Sequence, residues 1–423
     1  MSRLLAAACL LLLAATSFAV ESSDPDGEPG DALRNAARAG DQGAQYQLGN
    51  EYFYGQSRKR NYTLAAFWYR KAAEAGNPAA QFNLAICFDR GLGVQASDKH
   101  EAFKWYSKAA EAGIPQAKFN CALTLLHGIP ADSENGHPPM SPYIPKAKRL
   151  LNELCQDKFI PAFTEYAKAL IEHPEEGSDS IKAVALLEKA SEAGDPAAMR
   201  LLADCCFDGM GTKKDTEKML YWLRLASDKG DMEAKAKLAF CYEYGCGVEA
   251  DTAKAAALYK IAAEGGLPLA QVKYGEHIED TAKSPEDIKR AIEWYQRAAN
   301  AGSPQGFFKL GAHYMQGIGV EPSDKKAFDC FFLAARIGYV RAQYNIACMY
   351  LEGRGVAPDA SASFYWFKQA AQANDPNSQR RLAICYFEGQ GVKKDPVEGE
   401  RWLRKAAENG DGIAKRMIQA AEF

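Results

Sequence analysis

LAFCYEYGCGV (238–248) and WYQRAANAG (294–302) are two landmarks of one recurring unit, and their spacing decides how the chain folds. The first returns as LAICFDRGLGV (84–94), LGAHYMQGIGV (310–320) and LAICYFEGQGV (382–392), and the second returns as WLRKAAENG (402–410). The closing residues Gly194, Gly230, Gly266, Gly302, Gly338 and Gly410 stand on a 36-residue ladder, with Asn374 on the remaining rung. Gly40, Gly76 and Gly113 continue it upstream at spacings of 36 and 37. Two landmarks held in one register over so many copies identify a tandem repeat.

Each unit reads as two helices. With the first-helix Leu at position 0, Ala at −4, Gly or Ala at +1 and an aromatic at +4 share one side at the 3.6-residue period, as in Ala80, Leu84, Ala85 and Phe88. The G-x-G that follows supplies the left-handed backbone that ends this helix, which only glycine adopts cheaply. Asp215, Asp251, Ser323, Asp359 and Asp395 then stand at the N-cap of the second helix, with Pro396 at a first helical position. Trp68, Trp105, Trp222, Trp294, Trp366 and Trp402 share one second-helix position. The small pairs four residues later, such as Ala72-Ala73 and Ala298-Ala299, let neighbouring helices approach. One pair cannot bury its own apolar stripe, so the units must stack. The expected fold is all-α: a right-handed α-solenoid superhelix of about ten helix–turn–helix repeats, beginning near 41, 77, 114, 160, 195, 231, 267, 303, 339 and 375. Half-units cap it at 31–40 and 411–423.

These motifs closely resemble the Sel1-like repeat, a relative of the tetratricopeptide repeat, over essentially all of 31–423. The resemblance implies a curved superhelix that binds other proteins, often as an adaptor, and names no partner. A cysteine-rich bacterial branch of that family carries disulfides within repeats, with Cys in place of the second small residue of W-Y-x-x-A-A. Only Cys155 stands at that place, and no Cys lies where its partner is expected.

Residues 1–19 read as a secretory signal: Arg3, then an apolar stretch from Leu4 to Ala15, then Ser17-Phe18-Ala19 as a small-x-small cleavage site. The apolar run is short for a bilayer span, so the mature chain is expected in the periplasm or secreted, without membrane insertion. Residues 20–30 read as a flexible acidic leader. Without Arg3 the chain carries 50 basic against 54 acidic residues, a net charge of −4, and no basic cluster points to nucleic acid. The repeat breaks twice. Residues 128–145 (GIPADSENGHPPMSPYIP) are inserted in the third unit, and the fourth has HPEEGSDS (173–180) in place of G-x-G. A tolerated surface insertion is the favoured reading of the first.

Position +3 holds Cys87, Cys205, Cys241, His277, His313 and Cys385, which are zinc-ligand types. Stacked helices lie roughly 8–10 Å apart, so one ion could reach only two neighbours. A small Cys beside the core stripe packs as a buried hydrophobe, and neither metal nor cofactor is expected. The same spacing disfavours disulfides between adjacent +3 cysteines, leaving ten mature cysteines in an oxidising compartment. Ser323-Asp324-Lys325-Lys326 matches the S-x-x-K of penicillin-recognising enzymes, but S-D-N and K-T-G are missing and Ser323 already has a role as a cap. Asn61-Tyr62-Thr63 is a glycosylation sequon.

Helical angles place −2, +2 and +5 opposite the core stripe. The candidate partner-binding residues there are Phe53, Ile86, Asp89, Leu123, Leu126, Asp204, Phe207, Phe240, Glu243, Glu276, Glu279, Met315, Leu351, Ile384 and Phe387. Position −2 adds aromatics such as Phe82 and Phe308, whose recurrence suits packing between neighbouring first helices. The acidic residues suit a partner with basic and apolar groups. The expected function is therefore an exported, non-catalytic scaffold binding a peptide or protein on its concave face. A weak cell-wall or β-lactam hydrolase of the cysteine-rich branch is the alternative, and a structural spacer with a polar open face is the third reading.

Overall fold

Asp41 opens the first full helix pair by accepting a hydrogen bond from the Ala44 N–H at 2.7 Å, and the device recurs along the chain. The expected caps Asp215, Asp251, Ser323, Asp359 and Asp395 each accept from the first turn of a second helix. First helices end on the first glycine of G-x-G at Gly91, Gly245, Gly317, Gly353 and Gly389, with φ from 67° to 78°. Gly55, which no second glycine follows, ends its helix in the same way at φ 70°. Asn374 fills its rung with φ 63°, and Lys158 plays the same part at φ 58° after the third pair.

The structure, a computed structural model, describes residues 31–132 and 135–421. The expected signal sequence and acidic leader lie outside the described residues. These residues form twenty-two helices: Ala32–Arg38, then ten pairs from Gln42–Tyr54 with Tyr62–Glu74 to Pro376–Glu388 with Pro396–Glu408, then Gly412–Ala421. The fold is an all-α solenoid. No helix among the described residues is long and apolar enough to cross a membrane.

The described residues divide into two compact units, those up to Ala198 with Gly209–Lys213, and Met199–Asp208 with those from Lys214 on. Within each, helices pack on their neighbours in chain order. Leu84, Ala85, Tyr69 and Ala72 are sealed in the first unit, and Tyr295, Phe331, Ile346 and Phe367 in the second. Trp68, Trp105 and Trp366 are buried, while Trp222, Trp294 and Trp402 are half-buried.

A recurring glutamine at −3 joins consecutive repeats. The Nε2 groups of Gln45 and Gln81 donate to Ala37 and Ala73 carbonyls in the first unit, at 3.0 and 3.2 Å. Gln271, Gln343 and Gln379 do the same to Ala263, Ala335 and Ala371 in the second, at 3.1–3.3 Å. Each adds a second donor to a carbonyl at the end of the preceding helix that already accepts a backbone N–H of the turn, and so ties one repeat to the next. The insertion carries antiparallel bridges, Ile129 with Met140 and Asp132 with His137. His137 also meets Asp98 at 3.2 Å and stacks on His100.

Candidate interaction face

The face opposite the core stripe is built from first helices, and its openness depends on what each side chain meets from the next repeat. Position −2 is engaged by the neighbouring repeat. Arg200 Nε donates to Asp231 at 3.2 Å, and Arg380 Nε to Asp411 at 2.8 Å, each across 31 residues. Phe308 lies against Phe331 and Tyr339, at 5.5 and 5.2 Å between ring centroids. In the first unit Phe82 lies 5.7 Å from the Tyr106 ring, and Thr164 Oγ1 meets Asp195 at 2.5 Å. These residues pack between neighbouring repeats.

In the first unit Ile86, Asp89 and Leu123 come together in one cleft of about 530 Å³, with Phe82, Tyr106, Asn120 and the insertion's Ile129. Asp89 is held by Lys99 Nζ at 2.6 Å. Phe53 is half-buried among Tyr54, Tyr62 and Tyr69, and Leu126 is half-buried. Neutral amides run beside them: Asn50 Oδ1 accepts from the Tyr69 hydroxyl at 2.8 Å and from Asn83 Nδ2 at 3.2 Å. Burial pushes the Tyr106 phenol up to about 12, so it stays a neutral donor at ordinary pH.

The second unit is charged where the first is neutral. The acidic candidates are joined to lysines at −1, a position the sequence reading left out. Lys237 meets Asp204 at 2.7 Å, Lys273 meets Glu243 at 3.3 Å and Glu276 at 3.5 Å, and Lys309 meets Glu276 at 3.0 Å. The Tyr259 and Tyr295 hydroxyls donate to Glu243 and Glu279 at 2.8 and 2.6 Å. Burial works against the charge on Lys273, but Glu276 and Glu243 outweigh it and hold its pKa above the usual lysine value. The stripe expected to be acidic therefore alternates in sign, because a residue's charge is matched by the repeat that follows it. Glu276 and Glu279 line a cleft of about 330 Å³ with Phe308, Lys309 and His313.

The apolar candidates of this unit differ in exposure. Phe207 and Phe240 stand in water at 54% and 45% exposure, beside Tyr244 at 57%. The Phe240 and Tyr244 rings are 4.5 Å apart. Met315, Leu351, Ile384 and Phe387 are half-buried, with Phe387 pressed against Gly399, where an added Cβ would lie 2.8 Å from its ring.

The +3 side chains turn inward except His277, which is half-buried. Cys87 is buried in the first unit, as are Cys205, Cys241 and Cys385 in the second. Burial pushes the Cys87 thiol up to about 12 and the other three to about 11. All ten cysteines from Cys87 to Cys385 are free thiols, and the four enclosed at +3, held protonated by burial, are poor nucleophiles. His313 is buried, with Nδ1 2.8 Å from the Ile318 carbonyl. In the S-x-x-K match, Ser323 Oγ accepts from the Lys326 N–H as a helix cap at 3.3 Å, and Lys326 Nζ lies over the Tyr314 ring.

Comparison with known proteins agrees with this architecture. The Sel1 repeat model matches residues 42–77, 78–114, 175–195, 196–231, 233–267, 268–303, 308–339, 340–375 and 376–411. The third pair and the start of the fourth, where the insertion lies, fall between matched segments. Among solved structures, c5321, a protective antigen of uropathogenic Escherichia coli with an SLR fold, is 25% identical with a TM-score of 0.52, covering 92% of this chain and 90% of its own. A Sel1 repeat protein from Oxalobacter formigenes is 29% identical with a TM-score of 0.54, covering 58% of this chain and 99% of its own. No curated protein matches the sequence. With nine matched repeats, the chain belongs to the Sel1 repeat family, whose scaffold fold is typical of protein–protein interaction.

Proposed function

We propose that the protein is an exported, non-catalytic scaffold that binds a protein or peptide partner on its first-helix face. The observation that carries this reading is the water-exposed set Phe207, Phe240 and Tyr244 beside the lysine–carboxylate ladder of the second unit. Exposed aromatic groups rimmed by polar ones are the usual chemistry of a binding patch, since burying them against a partner returns the hydrophobic free energy that folding left unused. The alternating charges set register and discourage wrong partners more than they add affinity. Export rests on the signal-like residues 1–19.

The test compares the mature chain with a Phe207→Ala, Phe240→Ala double variant as baits for proteins of the cell envelope. Both side chains are about half exposed, so the two baits are expected to melt alike. Capture by the parent and loss of at least tenfold in the double variant supports the reading, and equal capture refutes it.

A further inference from the structure

The seventh helix pair differs from its neighbours at two places that face each other. In the sixth pair the second glycine of the turn sits tight on the preceding second helix. A Cβ on Gly247 would lie 2.2 Å from Thr216 Cγ2 and 3.0 Å from Leu220 Cδ1. Gly319 in the eighth is as tight, with Ile288 and Ile292 within 2.7 Å of its would-be Cβ. Thirty-six residues after Gly247 the chain has Lys283, and thirty-six after Leu220 it has Ala256. In the register of the repeat a long cation thus stands where glycine was required, and the turn is recast so that the second helix opens at Pro285 after the Ser284 cap. Of the two residues that crowd Gly247, the threonine persists as Thr252 and the leucine has shrunk to Ala256. Ala257 likewise stands where the preceding repeat has Tyr221.

These exchanges open a cavity of about 420 Å³ between the helices Thr252–Glu264, Pro268–Asp280 and Pro285–Asn300, floored by Ala256 and Ala257. Lys260, Lys283, Arg290 and His277 line it, with Tyr274 as its aromatic wall. Asp287 is the one carboxylate in the lining, and its oxygens are already engaged. Oδ2 accepts from the Lys283 and Ser284 N–H groups at 3.0 Å and from Ser284 Oγ at 2.9 Å, while Oδ1 accepts from Arg290 at 2.5 Å. Lys260 meets only Glu264, at 3.9 Å, and Lys283 has no ion-pair partner among the described residues. With Arg290 bound to Asp287 and Lys260 held only at 3.9 Å from Glu264, Lys283 is the cation that leaves the cavity with an unmatched positive charge.

We propose that this cavity binds a compact anion carrying at least two negative charges, either a phosphate ester or a di- or tricarboxylate. Its volume is that of a small-ligand site. Arg290, with one Nη group on Asp287, keeps the remaining N–H groups of its planar guanidinium for ligand oxygens, and Lys260 and Lys283 add flexible point charges to the same lining. Because these cations are largely exposed, binding is weak and falls steeply with salt.

The test titrates the full mature chain with inorganic pyrophosphate and, separately, with citrate at low ionic strength, read by calorimetry. Saturable binding of either probe, with a Kd on the order of 1 mM or tighter, supports the site, and the preferred probe identifies the ligand class. The double variant Ala256→Leu, Lys283→Gly rebuilds the pattern of the neighbouring repeats and fills the cavity. It is expected to weaken binding at least tenfold. Arg290→Gln with Lys260→Gln, both at the surface, is expected to do the same and serves if the first variant does not fold. Undiminished binding in the folded variants, or no saturation by either probe, overturns the proposal. So does binding of a hexaglutamate peptide alone, which would make the cavity part of a protein-docking surface.

Discussion

A Cβ placed on Gly311 would lie 2.7 Å from Cε1 of Phe331, a side chain with no exposure at all. The +1 position therefore admits glycine for a packing reason: the aromatic ring of the following helix lies flat on its backbone. Gly275 stands in the same relation to Tyr295, at 2.6 Å, as does Gly49 to Tyr69 in the first unit. Two effects compete in Gly311→Ala. Helix propensity favours alanine by up to about 1 kcal/mol, whereas forcing extra volume into a closed core costs about 1–3 kcal/mol. A contact under 3 Å against a fully enclosed ring lets the second prevail. Urea denaturation should report a net loss of about 1–2 kcal/mol, with Phe331→Leu restoring part of it. A variant as stable as the parent would mean that the ring can yield.

At the scale of elements, a helix end is secured by a side chain from the repeat before it. Asp411 caps Gly412–Ala421 by accepting from the Ile413 and Ala414 N–H groups, both at 2.8 Å, and it also receives Arg380 Nε at 2.8 Å. The pair is nearly closed to water, with side-chain exposures of 12% for Arg380 and 4% for Asp411. Burial alone would raise the carboxyl pKa, but the backbone donors and Arg380 outweigh it and hold it below the usual aspartate value. Asp411→Ala removes the cap and leaves a buried guanidinium unmatched, a change expected to cost about 3 kcal/mol. Because the helix is terminal, the loss should appear as early melting and fast amide exchange of Gly412–Ala421. Asp411→Asn keeps a good capping oxygen, so it should retain the helix and lose only the charge-dependent part. Equal effects of the two substitutions would show that the cap contributes nothing separate from the ion pair.

At the scale of the whole molecule, a stack of repeats is stabilised by neighbours only, so damage should stay local. Leu84 is sealed in the first unit, and Leu84→Ala is expected to cost about 3 kcal/mol. Amide exchange should quicken from Gln42–Tyr54 through Lys99–Glu111 and remain unchanged from Asp324–Arg336 through Pro396–Glu408. A uniform rise in exchange across all helices would refute nearest-neighbour stability. The sequence by itself determined the helix pairs, their period and most of their caps and glycine stops, missing the Ser284 cap and the glycine-free stop at Thr281 in the seventh pair. Each of these is a local matter of 3.6-residue patterning, a capping oxygen or a backbone angle, readable within a dozen residues. Only tertiary structure decided which outward positions stay open and which charges stay free. Arg200 and Arg380 are covered by aspartates 31 residues on. The carboxylates of Asp204 and Glu243 are matched by Lys237 and Lys273, 33 and 30 residues on. The cavity beside Lys283 exists because Ala256, in the preceding repeat, makes room for it. Exposure and charge balance depend on which side chains of the next repeat reach a position, and helical periodicity within one segment carries no record of that.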